Sequence, residues 1–364
     1  MPFFVEDFSM RKLASAMPRV RRAARLSHLV IAVLNLGFAV GAKADTNPPL
    51  QLSEGGKFVI ATNRARTDDG TLTTTAGFSN ERSPRLSYAL IDQTQGETSD
   101  AEPIKVSPIE PRNIGEALAR QPGAKQPVLL YVHGFNNSIE GATHLANHVA
   151  GKIGFKGDVA VFSWPSLASW TPASYRADAA TVDASKVALA ELLQALDAAP
   201  AVDRIHIISH SLGNRLLMRT LASAPRMRKL GQILLCSPDV ERAEFLSAAP
   251  RIVAAAGGAT LWVSDNDRAL RVAPEFGGGG PRAGLISAGN GPIVLPNMAT
   301  IDVSNETALF EFNHNAYMQV DDLFADLADV FDQNALRPWL NPAKQRHYAR
   351  RTTRDNKAYW EFNR

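Results

Sequence analysis

The chain has 364 residues, of which 45% are hydrophobic and 21% charged, a balance that excludes a largely disordered, collagenous or coiled-coil protein. This length fits one large domain with extensions, and the single cysteine, Cys236, excludes an internal disulfide and a cysteine-based zinc cluster. The formal net charge of +3 favours, on its own, a nucleic acid or an anionic membrane as partner.

The positive charge is concentrated in residues 1–44, which have the pattern of a secretory signal peptide. Seven Lys and Arg against two Asp and Glu give this segment a net charge of +5. An apolar run at residues 29–40 is followed by Ala42-Lys43-Ala44, which supplies an A-x-A cleavage site. The run is too short for a membrane span, which needs about 20 residues. We therefore predict cleavage after Ala44 and a periplasmic or extracellular protein.

The rest of the chain is acidic except at its end. Without residues 1–44 the net charge is −2, so the argument for a nucleic-acid partner is lost. Residues 336–364 carry a net charge of +6, which leaves −8 on residues 45–335. We predict an enzyme domain over residues 45–335 and a basic C-terminal extension over residues 336–364. The extension is expected to be solvated, with a peripheral membrane contact as the alternative.

Short apolar runs alternate with helical periodicity from residue 58 onward. Strands are predicted at residues 58–61, 86–91, 128–132, 159–162, 205–208, 233–236, 261–263 and, as the last strand, 301–303. Helices are predicted at residues 139–153, 182–196, 212–221 and 320–331. Residues 92–126 are predicted to be loops, and residues 273–298 a long loop that is either a lid or a spacer. Alternating strands and helices predict an α/β fold, with a parallel sheet covered on both faces.

The segment from Ser209 to Gly213 reads Ser-His-Ser-Leu-Gly and joins a predicted strand to a predicted helix. This is the context of a nucleophile elbow, a sharp turn that raises the hydroxyl of Ser211 above the sheet edge. Gly213 meets the need for a small residue where strand and helix backbones pass closely, whereas Ser209 stands where the first glycine is usual. The alternative is an ordinary helix N-cap.

Candidates for the base and the acid follow later strands. His314 comes after the last predicted strand and is the one histidine between His210 and His347. Asp267 follows the strand at residues 261–263, and Asp239 follows the strand after the nucleophile helix. Loops at the carboxyl ends of parallel strands meet at one edge, so a Ser-Asp-His chain order predicts a triad there. We rank Asp267 first as the acid and Asp239 second, with a helix N-cap as the alternative role of Asp267.

The loop after the strand at residues 128–132 begins His133-Gly134-Phe135. Its Phe135 N–H is predicted to form an oxyanion hole with the N–H of Leu212, and the alternative is a simple tight turn.

Further side chains give weaker signals. Trp164, at the end of a strand, is predicted to line an acyl pocket or to belong to the core. Arg64 is expected to pair with an acidic partner that the sequence does not identify. His144 and His148 have metal-binding spacing, but the glutamate of a zinc protease is absent, so we predict a solvent-facing pair and no metal site.

Five segments, taken together and in this order, resemble a bacterial α/β-hydrolase family of unknown function within the esterase/lipase group. They are residues 58–64, 132–136, 162–166, 209–215 and 264–270. The resemblance implies the α/β-hydrolase fold and a triad of Ser211, His314 and an aspartate. Position 267 matches the family's aspartate better than position 265 does. The resemblance implies no particular substrate.

These observations predict an exported serine hydrolase that needs no cofactor or metal. Its expected substrate is a small-molecule or lipid carboxylic ester, with amide, thioester or acyltransferase chemistry as alternatives. The competing prediction from another class is a non-catalytic envelope protein that keeps a hydrolase fold for binding.

Overall fold

A computed structural model describes residues 56–67, 72–92, 102–110, 113–119, 123–287, 289–306, 314, 318, 320–332 and 337–363. Within these residues the chain forms one sheet of eleven strands with helices packed on both faces. The predicted signal peptide at residues 1–44 lies outside the described residues.

The strands are β1 (Phe58–Arg66), β2 (Phe78–Ile91), β3 (Val106–Ile109), β4 (Gln126–Val132), β5 (Asp158–Ser163), β6 (Val202–His210), β7 (Leu230–Cys236), β8 (Gly258–Val263), β9 (Met298–Asp302), β10 (Tyr348–Thr352) and β11 (Ala358–Phe362). The helices are α1 (Ile114–Ala117), α2 (Ile139–Ile153), α3 (Pro172–Ala198), α4 (Leu212–Ser223), α5 (Arg242–Ala255), α6 (Arg268–Gly277) and α7 (Asp321–Phe331). Every helix and strand predicted from the periodicity is present, most of them a few residues longer than predicted.

The sheet is mostly parallel, as predicted. Its order from edge to edge is β10-β11-β9-β8-β7-β6-β4-β5-β1-β2-β3. Neighbouring strands from β11 through to β1 pair in parallel, whereas β2 pairs antiparallel with β1, β3 with β2, and β10 with β11. The carboxyl ends of the parallel strands therefore lie along one edge, where the loops that follow them can form a site.

Strand β4 shows why the sequences of the central strands are continuous apolar runs. Val128, Leu130 and Val132 pack into a cluster with side chains of α3, α4 and α5 on one face of the sheet. Leu129 and Tyr131 pack into a second cluster with side chains of α2 and α7 on the other face. Side chains alternate between the faces of a strand, so both faces of β4 are buried. Full burial of each such side chain contributes about 1.5–3 kcal/mol.

The C-terminal segment corrects one prediction. Residues 336–364 were expected to form an extension beyond the domain, but β10 and β11 lie within this segment and continue the sheet. Trp360 of β11 pairs in parallel with Ile301 of β9, and Phe362 is fully buried. Strand β9 is therefore not the last strand. Basic side chains of this hairpin project outward, as Arg351 does toward Glu361. Because so many of its residues are charged, the segment has the composition of a solvated tail and its strands are not evident from the sequence.

Two predicted loop regions contain regular or packed structure. Residues 92–126 include β3, which pairs with β2, and the short helix α1. Within residues 273–298, α6 continues to Gly277, and the backbone N–H groups of Ala283 and Gly284 bond to carbonyls of the loop after β7. Ala283 and Leu285 are buried. These contacts favour a fixed segment over a lid at residues 283–285.

Candidate active site

Ser211 occupies a strained turn between β6 and α4. Its backbone has φ 51° and ψ −121°, which a residue with a side chain seldom adopts and which costs about 1–3 kcal/mol. The turn is fixed by three backbone hydrogen bonds: the Ser211 N–H donates to Cys236 O at 3.0 Å, and the Ser211 carbonyl accepts from Asn214 and Asp239, both at 3.1 Å. This geometry is that of a nucleophile elbow and differs from the extended conformation of an ordinary N-cap residue.

Two glycines let the loop after β4 lie directly against this elbow. A Cβ added at Gly213 would lie 2.4 Å from the His133 carbonyl oxygen and 2.7 Å from that of Val132. A Cβ at Gly134 would lie 2.9 Å from the Cβ of Ser211. All three separations are shorter than real Cβ contacts, so glycine is required at each position. The loop that carries Phe135 therefore runs beside Ser211.

Replacing Gly213 by alanine is expected to lower the free energy of unfolding by about 1–3 kcal/mol, because the new Cβ would overlap backbone oxygens of β4 and its following loop. Gly151→Ala in α2 is the matched control, since nothing lies within 4 Å of an added Cβ there. That change should raise stability by up to about 1 kcal/mol. Urea unfolding measures both. Equal effects of the two substitutions would contradict the close approach of β4 and α4.

Two backbone N–H groups next to Ser211 are available to an oxyanion. Leu212 is the first residue of α4, so its N–H has no acceptor within the helix, and the positive end of the helix dipole lies there. The Phe135 N–H makes no hydrogen bond to any other described residue. Both residues that the sequence analysis selected thus lie at the elbow, and within the described part of the chain neither N–H has an acceptor.

His314 and Asp267 are in direct contact. The His314 Nδ1 lies 2.7 Å from Asp267 Oδ2, and both side chains are buried. The other oxygen of this carboxylate, Oδ1, accepts the Leu270 N–H at 2.9 Å and caps α6. The two roles considered for Asp267, an N-cap and a partner of histidine, therefore coexist. Because Nδ1 faces the carboxylate, Nε2 is the ring nitrogen of His314 through which the ring would exchange a proton with a nucleophile.

His210 links this pair to the elbow. It directly precedes Ser211, and its ring centroid lies 4.8 Å from that of His314. Burial and the neighbouring His314 lower the pKa of His210 well below its ordinary value, so this side chain is neutral. The structure thus brings Ser211, His314 and Asp267 to the same carboxyl edge of the sheet.

Asp239, the second-ranked acid, belongs to a different cluster. Its Oδ1 lies 2.7 Å from the Nε of Arg282 and 3.6 Å from an Nη of Arg215. Its Oδ2 accepts a hydrogen bond from the Tyr175 hydroxyl at 2.6 Å. Burial and the adjacent carboxylate raise the pKa of Tyr175. None of these described partners is a histidine, so the geometry favours Asp267 over Asp239 as the acid.

The prediction that His144 and His148 both face solvent is wrong for His144. His144 is buried on α2, a helix that is covered around most of its circumference, whereas His148 is half-buried. Among the described residues there is no cluster of three or more side chains that could hold a metal ion.

Trp164 belongs to the core. It is fully buried, and its indole stacks on the His133 ring at 4.8 Å with an interplanar angle of 9°. Burial lowers the pKa of His133 to about 3. An aromatic surface instead lies around Phe135, whose ring meets those of Trp170 at 5.4 Å and Tyr175 at 5.5 Å.

Arg64 is buried at the end of β1 and binds the loops around the elbow. Its Nε donates to Ser163 Oγ at 3.0 Å, while its Nη atoms donate to the carbonyls of Asn137 at 2.9 Å and Ser166 at 3.2 Å. Burial lowers the pKa of Arg64 to about 10, an effect opposed by the charges of Glu140 and Asp178. The guanidinium therefore stays charged at neutral pH.

Asp178 of α3 is a residue that the sequence analysis missed. Its carboxylate accepts the Ser166 hydroxyl at 2.5 Å and the Leu167 N–H at 2.9 Å. Burial raises the pKa of Asp178, and these hydrogen bonds together with the charge of Arg64 oppose that rise. A signal was present in the sequence, because Asp178 lies four residues before Val182 on the buried stripe of α3.

The comparisons with known proteins agree with this architecture. A family model described as an alpha/beta hydrolase of unknown function (DUF900) matches residues 111–329, a range that includes Ser211, Asp267 and His314. The chain belongs to this family. Membership confirms both the resemblance found in the sequence and the predicted α/β-hydrolase fold of this hydrolase.

Solved structures give more distant likenesses to the hydrolase. Naproxen esterase (carboxylesterase NP) from Bacillus subtilis is 13% identical with a TM-score of 0.32, over 58% of this chain and 85% of that chain. Carboxylesterase CesB from Bacillus subtilis is 11% identical with a TM-score of 0.36, over 86% of this chain and 100% of that chain. No curated protein sequence matches the hydrolase. Likenesses at this level carry no information on its substrate.

Proposed function

We propose that this protein is an exported serine hydrolase that cleaves carboxylic esters through Ser211, His314 and Asp267. The observation that carries the proposal is the 2.7 Å contact between His314 Nδ1 and Asp267 Oδ2 beside the strained turn at Ser211. A carboxylate on Nδ1 fixes the tautomer in which Nε2 can accept a proton. Family membership supports hydrolytic chemistry in general.

In the proposed acylation step, the Ser211 oxygen attacks the ester carbonyl carbon while its proton moves to Nε2 of His314. The carbonyl electron pair moves to oxygen, and the oxyanion accepts hydrogen bonds from the N–H groups of Phe135 and Leu212. The charge of Asp267 stabilises the imidazolium. When the carbonyl re-forms, the bond to the alcohol oxygen breaks and the proton on His314 passes to the departing alcohol.

Deacylation repeats these steps with water. His314 takes a proton from water as the water oxygen attacks the acyl carbon bound to Ser211. Collapse of the second oxyanion breaks the bond between the acyl carbon and the serine oxygen, which recovers the proton. The products are a carboxylic acid and the free enzyme.

Export is the second part of the proposal. It rests on the positive segment, the apolar run at residues 29–40 and the A-x-A site ending at Ala44. In the described part of the chain, no helix combines the length and the apolar character needed to cross a membrane.

One labelling experiment tests both parts. The full-length chain is expressed in an exporting bacterial host, and the exported fraction is treated with a fluorophosphonate probe. We expect native protein to be labelled on the peptide that contains Ser211, and its intact mass to match a chain beginning at Asp45. Heat-denatured protein, whose triad is dispersed, is the control and should stay unlabelled.

The outcomes separate the alternatives. Native protein that is inert to the probe and to p-nitrophenyl acetate would contradict the hydrolase and favour the non-catalytic binding protein. Labelled protein that retains residues 1–44 would contradict export alone.

A further inference from the structure

We propose that the buried carboxylate of Asp178 is a positioning residue for the oxyanion hole, because it fixes the loop that carries the Phe135 N–H. The inference rests on the proposed function, which assigns that N–H to the oxyanion. It adds a residue of α3 to a site whose other members follow strands of the sheet.

The contact between Asp178 and the loop is relayed by Ser166. The carboxylate accepts the Ser166 hydroxyl at 2.5 Å, and Ser166 Oγ in turn accepts the Asn137 N–H at 3.2 Å. The carboxylate also accepts the N–H of Leu167, the residue after Ser166, at 2.9 Å. A peptide group two residues after Phe135 is therefore held through one carboxylate.

The side chain of Asn137 also constrains the peptide group that carries the Phe135 N–H. Its side-chain Nδ2 donates to the carbonyl oxygens of Gly134 at 3.3 Å and Phe135 at 3.0 Å. The Gly134 carbonyl and the Phe135 N–H belong to the same planar trans peptide group and point in opposite directions. Whatever fixes the Gly134 carbonyl therefore aims the Phe135 N–H.

Arg64 binds the same loop through its backbone carbonyls. Its guanidinium donates to the carbonyl oxygens of Asn137 and Ser166, so each of these two residues is bound both by Arg64 and within the hydrogen-bond network of Asp178. The positive charge of Arg64 also favours the ionised form of the carboxylate. The buried guanidinium of Arg64 and the buried carboxyl group of Asp178 thus both hold this loop.

The backbone shows that the loop needs such bracing. Asn136 has φ 59° and Ala168 has φ 50°, conformations that cost non-glycine residues about 1–3 kcal/mol and persist where surrounding contacts impose them. The N–H of Asn137, the residue after Asn136, binds Ser166 Oγ at 3.2 Å, and the N–H of Ala168 binds the same oxygen at 3.4 Å. Both turns are therefore held by the serine that binds Asp178.

An asparagine at position 178 cannot replace the carboxylate. The Leu167 N–H donates to Oδ1 and the Ser166 hydroxyl donates to Oδ2. An amide NH₂ in place of either oxygen removes the acceptor of one of these donors, so the loop relaxes and the Phe135 N–H turns away. Complete removal of an oxyanion-hole donor lowers kcat by about 10²–10³-fold.

The test compares Asp178→Asn with Asp183→Asn. Asp183 lies on the same helix but is half exposed and pairs with Arg219, which is not a residue of the loop. With p-nitrophenyl acetate we expect kcat of Asp178→Asn to fall about 10–100-fold, somewhat less than for loss of the donor, with KM within about threefold of wild type. Asp183→Asn should match wild type in both constants.

Two further measurements separate positioning from general damage. The acid limb of the pH–rate profile should be unchanged in Asp178→Asn, because the histidine and its own aspartate are intact. Ser166→Ala, which removes the relay and leaves the charge, is the second variant if Asp178→Asn does not fold. It should also lower kcat more than it raises KM.

The outcomes distinguish this inference from the function on which it rests. Wild-type protein without hydrolysis that depends on Ser211 would overturn both. Hydrolysis that depends on Ser211, together with wild-type kcat in folded Asp178→Asn or, failing that, in Ser166→Ala, would overturn the positioning role alone. So would a change confined to KM.

Discussion

Ser211→Ala is expected to lower kcat for p-nitrophenyl acetate by about 10⁴–10⁶-fold, the range expected when the nucleophile of a serine triad is removed. The reason is that alanine keeps the Cβ but has no oxygen to form the acyl-enzyme. The same backbone strain at φ 51° is retained, so the free energy of unfolding should change by less than about 1 kcal/mol. Initial rates and urea unfolding measure the two quantities.

A serine at the other end of the same helix provides the control. Ser223 is exposed and donates from its hydroxyl to carbonyls of α4, away from the elbow. Ser223→Ala should retain wild-type kcat and KM. If Ser211→Ala kept more than about one hundredth of the wild-type kcat, against the loss expected for a nucleophile, Ser211 would not be the nucleophile.

The site was predictable where local sequence pattern determines local geometry. A strand that runs directly into a helix through Ser-His-Ser-Leu-Gly can do so in few backbone conformations. Gly213 has no Cβ to obstruct the close approach of α4 to β4 and its following loop. The order of strands and helices predicted that loops ending in Asp267 and His314 would meet at one edge. Their contact at 2.7 Å follows from that topology.

The unpredicted parts depend on contacts between residues far apart in the chain. Arg64 meets the loop at Asn137 across 73 positions, and the sequence did not identify its acidic neighbours. Asp178 looks like an ordinary polar residue until it is placed on the buried stripe of α3. Strands β10 and β11 were missed because their charged side chains dominate the composition, while pairing with β9 depends on tertiary structure.

Asp267→Asn and Asp239→Asn are expected to affect different properties. For Asp267→Asn, we expect kcat to fall by about 10⁴-fold, since an amide NH₂ facing Nδ1 would favour the tautomer whose Nε2 carries a proton and cannot accept one from Ser211. Stability should be retained, because asparagine caps helices as well as aspartate does. The α6 cap to Leu270 would thus survive while catalysis is lost.

For Asp239→Asn the larger loss should be in stability. Its partner Arg282 is almost fully buried, and removing one member of a buried ion pair destabilises a protein by about 3–5 kcal/mol. In protein that remains folded, kcat should fall far less than in Asp267→Asn, since no described contact joins Asp239 to a histidine. Rates and urea unfolding of both variants measure the contrast. The reverse ranking of kcat, measured in variants that remain folded, would contradict Asp267 as the acid and favour Asp239.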